Sequence, residues 1–250
     1  MRIQLATLFT FIITTIVSGQ TIKSYKSAIT GDTIKFKVYF PENYSNKKKY
    51  PLLVFLHGMN EKTWPVGNFN PKVTTVGLPA LLEKGLKLPF ITIVPNIAYA
   101  DWDNIGYSKN NEIKFKSPGM LADEIARMAQ SRFLTDTSRT YITGISMGGG
   151  GTLSAIQNYP HSFSAALAIA GWGDPSKACQ TLTPVWIFQG EKDNGHGMEN
   201  LAKAIQSCRP DKNTRYTILA GKGHAIWDEV YENKVSEGTN IYNWLLSFKK

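Results

Sequence analysis

The positions of apolar and polar residues along the chain predict an alternation of strands and helices. Short apolar or alternating runs predict seven strands, at residues 33–40, 51–56, 90–95, 140–145, 165–170, 184–189 and 215–219. From the third strand onward, segments of helical period follow the strands; Leu121, Ile125 and Met128 share one such face, and residues 201–208 repeat the spacing. This pattern predicts an α/β fold with a mostly parallel central sheet, helices on both faces and an antiparallel N-terminal edge.

Residues 1–19 differ in character from the rest of the chain and predict an export signal. They combine a charged start at Arg2, an apolar core from Leu5 to Val17 and a small-residue cleavage site before Gln20. The core is shorter than the ~20 apolar residues that span a bilayer, and no cysteine follows the cleavage site to carry a lipid. We therefore expect a mature chain of residues 20–250, secreted or periplasmic, with no membrane insertion after signal removal.

Residues 20–250 predict one catalytic domain, because no Pro-rich, Ser-rich or charged linker divides them and no repeat occurs. The net charge of +9 suits steering toward an acidic polysaccharide or an anionic surface, and it also suits simple solubility. The basic run at residues 47–49 lies in a polar loop and accompanies no nucleic-acid-binding motif. We expect no nucleic-acid partner.

The segment Gly144-Ile145-Ser146-Met147-Gly148 matches the G-x-S-x-G pattern of a nucleophile elbow. This chemistry needs a serine on a strained turn between a strand and a helix, with small neighbours that let the chain bend. The order is present: an apolar run at 140–145 precedes Ser146, and a helical period begins at Leu153. The alternative is an ordinary glycine-rich turn whose serine caps the following helix.

A serine hydroxyl needs a histidine base and a carboxylate that orients the imidazole, in the chain order serine, acid, histidine. Asp193 follows the predicted strand at 184–189, and His224 follows the strand at 215–219. Both therefore lie past the C-terminal ends of strands, where parallel sheets gather their reactive groups. Ser146, Asp193 and His224 are the predicted triad.

Other histidines and carboxylates fit these roles less well. The other three histidines are poorer candidates for the base. His57 precedes the serine, and His161 lies in the connection beyond the serine's helix. His196 follows Asp193 closely and would need another acid. Two carboxylates remain as alternative acids, Asp174 and Asp228. Asp193 is preferred because it follows the strand that directly precedes the histidine strand.

The strand at 51–56 is apolar throughout and ends in His57-Gly58-Met59. In a serine hydrolase of this order, one oxyanion N–H comes from the residue after the nucleophile and another from the loop after this strand. The N–H groups of Met147 and Met59 are therefore the predicted oxyanion hole. We interpret His57 as a residue that orients this loop by hydrogen bonding.

The chain has two cysteines, Cys179 and Cys208, which in an exported protein predict a disulfide. Two buried free thiols are the alternative, because Cys208 lies on an apolar helix face. No cluster of Cys and His residues predicts a metal site, and the triad chemistry needs no cofactor.

Together these motifs resemble those of secreted α/β-hydrolase esterases of the polyhydroxybutyrate-depolymerase-like and feruloyl-esterase-like group. The resemblance covers residues 33–248, including Gly223-His224-Ala225-Ile226-Trp227, the stretch from Pro95 to Trp102 and the aromatic tail at 242–246. It implies an α/β-hydrolase fold and a serine esterase. By the same resemblance, the substrates are acetyl, feruloyl or short hydroxyalkanoate esters, either small or carried on polysaccharide.

The chain departs from the group's pattern at two places. Gly150 stands where these esterases usually have a bulky residue, and residues 194–197 replace the usual apolar and proline residues after the acid. Three tryptophans are expected to line the pocket and bind substrate, although core packing is an equal alternative for each: Trp102, Trp172 and Trp227.

The preferred function is a serine carboxylic-ester hydrolase that forms an acyl-enzyme. A secreted serine peptidase with the same triad is one alternative, although the chain lacks room for the extra domain that commonly gates such peptidases. A non-catalytic carbohydrate-binding module is the other. Such a module would explain the tryptophans and the basic charge, but not a complete triad in the required order.

Overall fold

The computed structural model describes residues 21–98, 102, 106–109, 112–115, 119–193, 197–210, 213–234 and 238–250. The predicted export signal at residues 1–19 lies outside the described residues. Among those described, no helix has both the length and the apolar character needed to cross a bilayer.

Within the described part of the chain, ten strands form a large and a small sheet. They are β1 (Ile22–Lys26), β2 (Thr33–Tyr39), β3 (Tyr50–Leu56), β4 (Ile91–Asn96), β5 (Gly106–Lys109), β6 (Glu112–Phe115), β7 (Thr135–Ile145), β8 (Ala165–Ile169), β9 (Val185–Gly190) and β10 (Thr214–Leu219). The large sheet has the order β1-β2-β4-β3-β7-β8-β9-β10, and β5 pairs with β6 in a separate hairpin.

The large sheet confirms the predicted α/β architecture. From β4 through β3 to β10, all neighbouring strands are parallel. β2 is antiparallel to both β1 and β4, so the antiparallel edge is N-terminal, as predicted.

In the described residues, six α-helices cover the two faces of this sheet. They are α1 (Gly77–Glu83), α2 (Met120–Arg132), α3 (Met147–Asn158), α4 (Met198–Cys208), α5 (Trp227–Tyr231) and α6 (Ile241–Leu246). Buried residues of α2, α3 and α4 pack in one core cluster, and those of α1, α5 and α6 pack in the other. Because both faces are covered, β3 and β8 are buried along their whole length, which explains their continuous apolar sequences.

The strand register brings the predicted site segments to one edge of the sheet. β3 and β7 run parallel, with Leu56 opposite Gly144, so both strands end at the same edge. β8 pairs with β9 and β9 with β10 in the same direction, which carries the loops after β9 and β10 to that edge as well. The topology therefore places the residues after β3, β7, β9 and β10 close together.

A disulfide joins Cys179 and Cys208, as predicted. It connects the 3₁₀ turn Pro175–Gln180 to the last residue of α4. The bond therefore links the segment after β8 to the helix after β9.

Candidate active site

Ser146 lies on a strained turn between β7 and α3. Its backbone has φ 53° and ψ −117°, and its N–H donates to the carbonyl of Ile169 at 2.9 Å. A non-glycine residue at positive φ is uncommon, and such strain is typical of functional sites. The elbow predicted from the G-x-S-x-G pattern is therefore present.

The glycines around Ser146 are required by close backbone packing. A Cβ on Gly148 would lie 2.0 Å from the Leu56 carbonyl oxygen, and a Cβ on Gly144 would lie 2.2 Å from the Gly148 oxygen. Both contacts are with backbone atoms, which cannot rotate away. Only glycine lets the start of α3 pack against the end of β3 in this way.

The three predicted triad side chains form a continuous hydrogen-bonded chain. His224 Nε2 lies 2.9 Å from Ser146 Oγ, and His224 Nδ1 lies 2.9 Å from Asp193 Oδ2. The carboxylate beside Nδ1 favours the tautomer that carries its proton there, which leaves Nε2 free to accept the serine proton. The His224 side chain is 41% exposed and that of Asp193 only 6%, so the imidazole is open to solvent while the carboxylate is shielded.

The acid and base loops meet because their backbones are in contact. Lys192 donates its N–H to the carbonyl of Lys222 at 2.7 Å, and a Cβ on Gly190 would lie 2.0 Å from the Gly223 oxygen. This close approach holds the loop after β9 against the loop after β10. Asp193 and His224 are thereby placed side by side.

Gln189 is a site residue that the sequence analysis missed. Its Nε2 donates to Asp193 Oδ2 at 2.7 Å and to the Asp193 carbonyl at 3.2 Å. Thus the same Asp193 oxygen that lies beside His224 Nδ1 also accepts a hydrogen bond from the Gln189 amide. The available signal was a glutamine near the end of the otherwise apolar strand β9.

The loop after β3, residues 57–61, forms the other side of the site and is called the oxyanion loop below. His57 Nδ1 donates to the Gly58 carbonyl at 2.6 Å, and the Ile97 N–H donates to His57 Nε2 at 3.1 Å. Because a trans peptide is planar, fixing the Gly58 carbonyl also fixes the Met59 N–H in the opposite direction. The loop contacts the nucleophile: a Cβ on Gly58 would lie 3.6 Å from Ser146 Cβ.

The second predicted oxyanion donor is the N–H of Met147. Met147 is the first residue of α3, and the first N–H groups of a helix have no partner within the helix. Together with the helix dipole, this makes the start of α3 favourable for a developing negative charge.

His57 is neutral and does not act as a base. Complete burial lowers its pKa to about 4; the hydrogen bond to the Gly58 carbonyl opposes this shift, and the charge of Lys62 adds to it. With both ring nitrogens occupied, His57 orients the loop, in agreement with the interpretation from the sequence.

Comparison with known families decides where this chain belongs. Residues 27–243 match the family model described as "Putative esterase". The chain belongs to the Esterase family.

Solved structures of esterases and related hydrolases share the α/β-hydrolase fold with this chain. A thermostable esterase is 27% identical, with a TM-score of 0.70; the match covers 92% of this chain and 63% of that protein. S-formylglutathione hydrolase from Staphylococcus aureus is 15% identical, with a TM-score of 0.63 and coverages of 90% and 98%. The feruloyl esterase module from Clostridium thermocellum is 17% identical, with a TM-score of 0.61 and coverages of 91% and 87%.

The three tryptophans predicted to bind substrate occupy different positions in this Esterase-family fold. Trp102 does not face the pocket as predicted: it is 1% exposed, and its indole N–H donates to the His57 carbonyl at 3.0 Å. It supports the oxyanion loop from the core side, because the aromatic ring packs there and its N–H finds a buried partner.

Trp172 packs on the first turn of the helix that follows Ser146, and Trp227 lies beside His224. Three ring atoms of Trp172 lie 2.7 to 3.0 Å from where a Cβ on Gly150 would be, so the indole occupies the space of the missing side chain. The ring of Trp227 lies edge-on to His224, with 5.7 Å between centroids. Both rings are partly exposed and remain candidates for substrate contact.

The alternative acids and bases take other roles. The Asp174 carboxylate is exposed and accepts the Ser176 N–H and hydroxyl, capping a 3₁₀ turn; Asp228 is also exposed. His161 is exposed, and His196 lies outside the described residues. In the part of the chain that is described, no group of three His, Cys, Asp or Glu side chains forms a metal site.

Proposed function

We propose that this protein is a serine carboxylic-ester hydrolase that works through an acyl-enzyme. The observation that carries the proposal is the chain of two 2.9 Å contacts from Asp193 through His224 to Ser146, at a strained elbow. Membership of the Esterase family supports ester hydrolysis as the reaction.

In the proposed mechanism, Ser146 Oγ attacks the ester carbonyl carbon while its proton passes to His224 Nε2. Asp193 holds the Nδ1–H and stabilises the imidazolium, and the N–H groups of Met59 and Met147 bind the oxyanion. The C–O bond to the alcohol then breaks, and the alcohol leaves with the His224 proton. A water molecule then attacks the acyl carbon while its proton passes to His224. The bond between Ser146 Oγ and the acyl carbon breaks, the acid leaves, and His224 returns the proton to Ser146 Oγ.

For the substrate, we propose small esters or ester groups on polysaccharide, with acetyl, feruloyl or short hydroxyalkanoate acyl groups. Trp172 and Trp227 offer flat apolar faces with polar tips beside the triad, which suit sugar and aryl rings. Two apolar side chains after β3 are also exposed, Met59 at 49% and Trp64 at 83%. The structurally similar feruloyl esterase module was solved in complex with sinapinate.

Hydrolysis of a panel of acetyl, butyryl and feruloyl p-nitrophenyl esters, with a peptide p-nitroanilide, tests this function. We expect turnover of at least one ester, and a loss of roughly 10⁴-fold or more in Ser146→Ala, because the nucleophile is removed. Ser154→Ala, a buried serine on the same helix, is the matched control and should keep its activity.

The other possible results distinguish the esterase from the two alternative functions. Cleavage of the anilide alone would favour the peptidase. Inactivity on every ester, or full turnover by folded Ser146→Ala, would contradict the proposed function; polysaccharide binding retained in that variant would favour a binding module.

We further propose that the protein is secreted or periplasmic after removal of residues 1–19. The charged start, apolar core and small-residue site before Gln20 support this proposal. Intact-mass analysis of the exported protein should give a chain that begins at Gln20, and a retained Met1 would contradict it.

A further inference from the structure

A buried carboxylate lies in the oxyanion loop and belongs to no step of the triad chemistry. Glu61 is the last residue of the 3₁₀ turn Met59–Glu61, and only 7% of its surface is exposed. A buried carboxylate is costly unless hydrogen bonds satisfy it. Its position beside the candidate oxyanion donor therefore needs an explanation.

The carboxylate of Glu61 folds back onto the start of its own turn. Burial raises the pKa of this carboxyl, and the nearby backbone N–H groups of Glu61 and Gly58 oppose that shift. Its Oε2 lies 2.8 Å from where a Cβ on Gly58 would be, and Ser146 Cβ lies 3.6 Å from the same point. Glu61 and the nucleophile thus border the same glycine.

The base of the turn is itself fixed to the sheet. Asn96, the last residue of β4, donates its Nδ2 to the Glu61 carbonyl at 2.7 Å. The Asn96 side chain also accepts the Asn70 N–H at 2.6 Å. Glu61 is therefore a rigid support rather than a mobile surface residue.

Two successive peptide groups of the loop are held by side chains. The carbonyl of the His57–Gly58 peptide accepts a hydrogen bond from Trp102 Nε1, and the Glu61 carboxylate packs against Gly58 at the other end of that peptide. The Gly58–Met59 peptide is held at its carbonyl by His57 Nδ1. Among the described residues, no contact engages the N–H of Met59, which is thus the donor this arrangement presents to a substrate.

We propose that Glu61 is a positioning residue that locks the His57–Gly58 peptide and so aims the Met59 N–H at the substrate oxyanion. The inference rests on the proposed ester hydrolysis. Without the carboxylate packed against Gly58, the peptide can rotate, because the Trp102 contact then holds only its carbonyl. The oxyanion donor would be misaligned in the transition state, whereas binding of the uncharged ester would change little.

The test compares Glu61→Ala and Glu61→Gln with wild type, using p-nitrophenyl acetate turnover and inhibition by phenylboronic acid. Boronic acids add the serine oxygen to boron, and the tetrahedral adduct presents an oxygen to the oxyanion hole while His224 takes the serine proton. Asp123→Asn is the matched control: it removes a buried carboxylate that binds Ser162, before β8 and so at the opposite edge of the sheet.

We expect Glu61→Ala to lower kcat by about 10- to 100-fold with KM within about 3-fold, since removing an oxyanion donor outright costs about 10²–10³. The boronate Ki should rise by a similar factor. Glu61→Gln, which keeps the shape of the side chain beside Gly58 but removes its negative charge, should lose several-fold in kcat. Asp123→Asn should keep the wild-type kcat.

Wild-type kcat in either folded Glu61 variant would overturn the proposal, as would a loss of kcat with an unchanged boronate Ki or a change confined to KM. If Glu61→Ala does not fold, the isosteric Glu61→Gln decides alone on the same criteria. Ser146→Ala in the same assay separates the two hypotheses. Retained turnover there defeats the proposed function, whereas its loss beside normal Glu61 variants defeats only this inference.

Discussion

At the residue scale, a specific hydrogen bond positions each residue of the proposed triad. Asp193 is held by Gln189, His224 by Asp193, and Ser146 by its own N–H on the Ile169 carbonyl. Orientation matters because proton transfer requires hydrogen-bond distance in a fixed direction. Residues that only position the proton-transfer groups are therefore also expected to affect turnover.

Gln189→Leu tests the support of the acid. The substitution keeps the volume but removes the 2.7 Å donor to Asp193, so the carboxylate can turn away from His224. A hydrogen bond to a charged group contributes roughly 1.5–3 kcal/mol, and we expect kcat to fall about tenfold or more. Steady-state kinetics with Gln206→Leu, which loses a bond to the Thr214 carbonyl, provide the control. Equal kcat values in the two variants would remove Gln189 from the site.

His57 predicts a pH dependence of stability. Its pKa is about 4 in the folded protein, against 6.5 for an ordinary histidine. As the pH falls, His57 is therefore protonated in the unfolded chain before it is protonated in the folded protein. The free energy of unfolding keeps its full value above pH 6.5 and declines toward pH 4. The total is roughly 3 kcal/mol.

Urea unfolding at pH 7 and pH 4.5 measures this contribution. We expect His57→Gln to lose about 2–3 kcal/mol less than wild type between the two pH values. His161→Gln, a substitution of an exposed histidine, should follow the wild type. Parallel curves for wild type and His57→Gln would show that burial of His57 does not control the acid limb.

At the scale of elements, the site depends on how closely α3 approaches the end of β3. The helix begins directly after Ser146, and its first turn meets the Leu56 carbonyl. This proximity places the Met147 N–H and the oxyanion loop on the two sides of the serine. A spacer between helix and strand would separate the two donors.

Gly148→Ala tests this close approach. The new Cβ would lie 2.0 Å from a backbone oxygen, and we expect a loss of at least about 2–3 kcal/mol in unfolding free energy. Gly223→Ala is the control, because no heavy atom lies within 4 Å of its Cβ position and it should cost less than about 1 kcal/mol. Thermal and urea melts of both variants provide the measurement. A Gly148→Ala protein as stable as Gly223→Ala would show that the two backbones are farther apart.

The element boundaries show which patterns were visible before folding. For β7, the prediction covered only the buried part, residues 140–145. The strand begins at Thr135, and its first half was missed because it is polar and half-exposed. β1 was missed because Tyr25 is its only buried residue, so it has no apolar alternation. Pairing with β2, rather than side-chain pattern, makes β1 a strand.

At the scale of the whole molecule, one covalent bond crosses between segments that the sheet order already brings together. Cys179 and Cys208 are separated by 29 residues and join the turn after β8 to α4. Closing a loop of this length reduces the entropy of the unfolded chain by roughly 3–4 kcal/mol of free energy at 25 °C. The bond therefore contributes to stability without touching the triad.

The double variant Cys179→Ala, Cys208→Ala should unfold at a lower urea concentration, with about 3 kcal/mol less stability. Its kcat should remain within about twofold, because both cysteines lie away from Ser146. The reduced and alkylated wild-type protein provides an independent comparison. Two titratable thiols in the unreduced, unfolded protein would show that the bond does not form.

The sequence by itself determined the layered fold and predicted the three residues of the proposed triad. Those features follow from local patterns: a glycine-flanked serine, periods of apolar residues, and polar residues just after strands. Tertiary structure alone decided that Gln189 supports the acid, that Trp102 is buried beneath the loop, and that Glu61 lies beside Gly58. These roles depend on contacts between residues far apart in sequence, which form only when the eight strands of the large sheet are in place. The pattern of residues within a single segment does not contain that information.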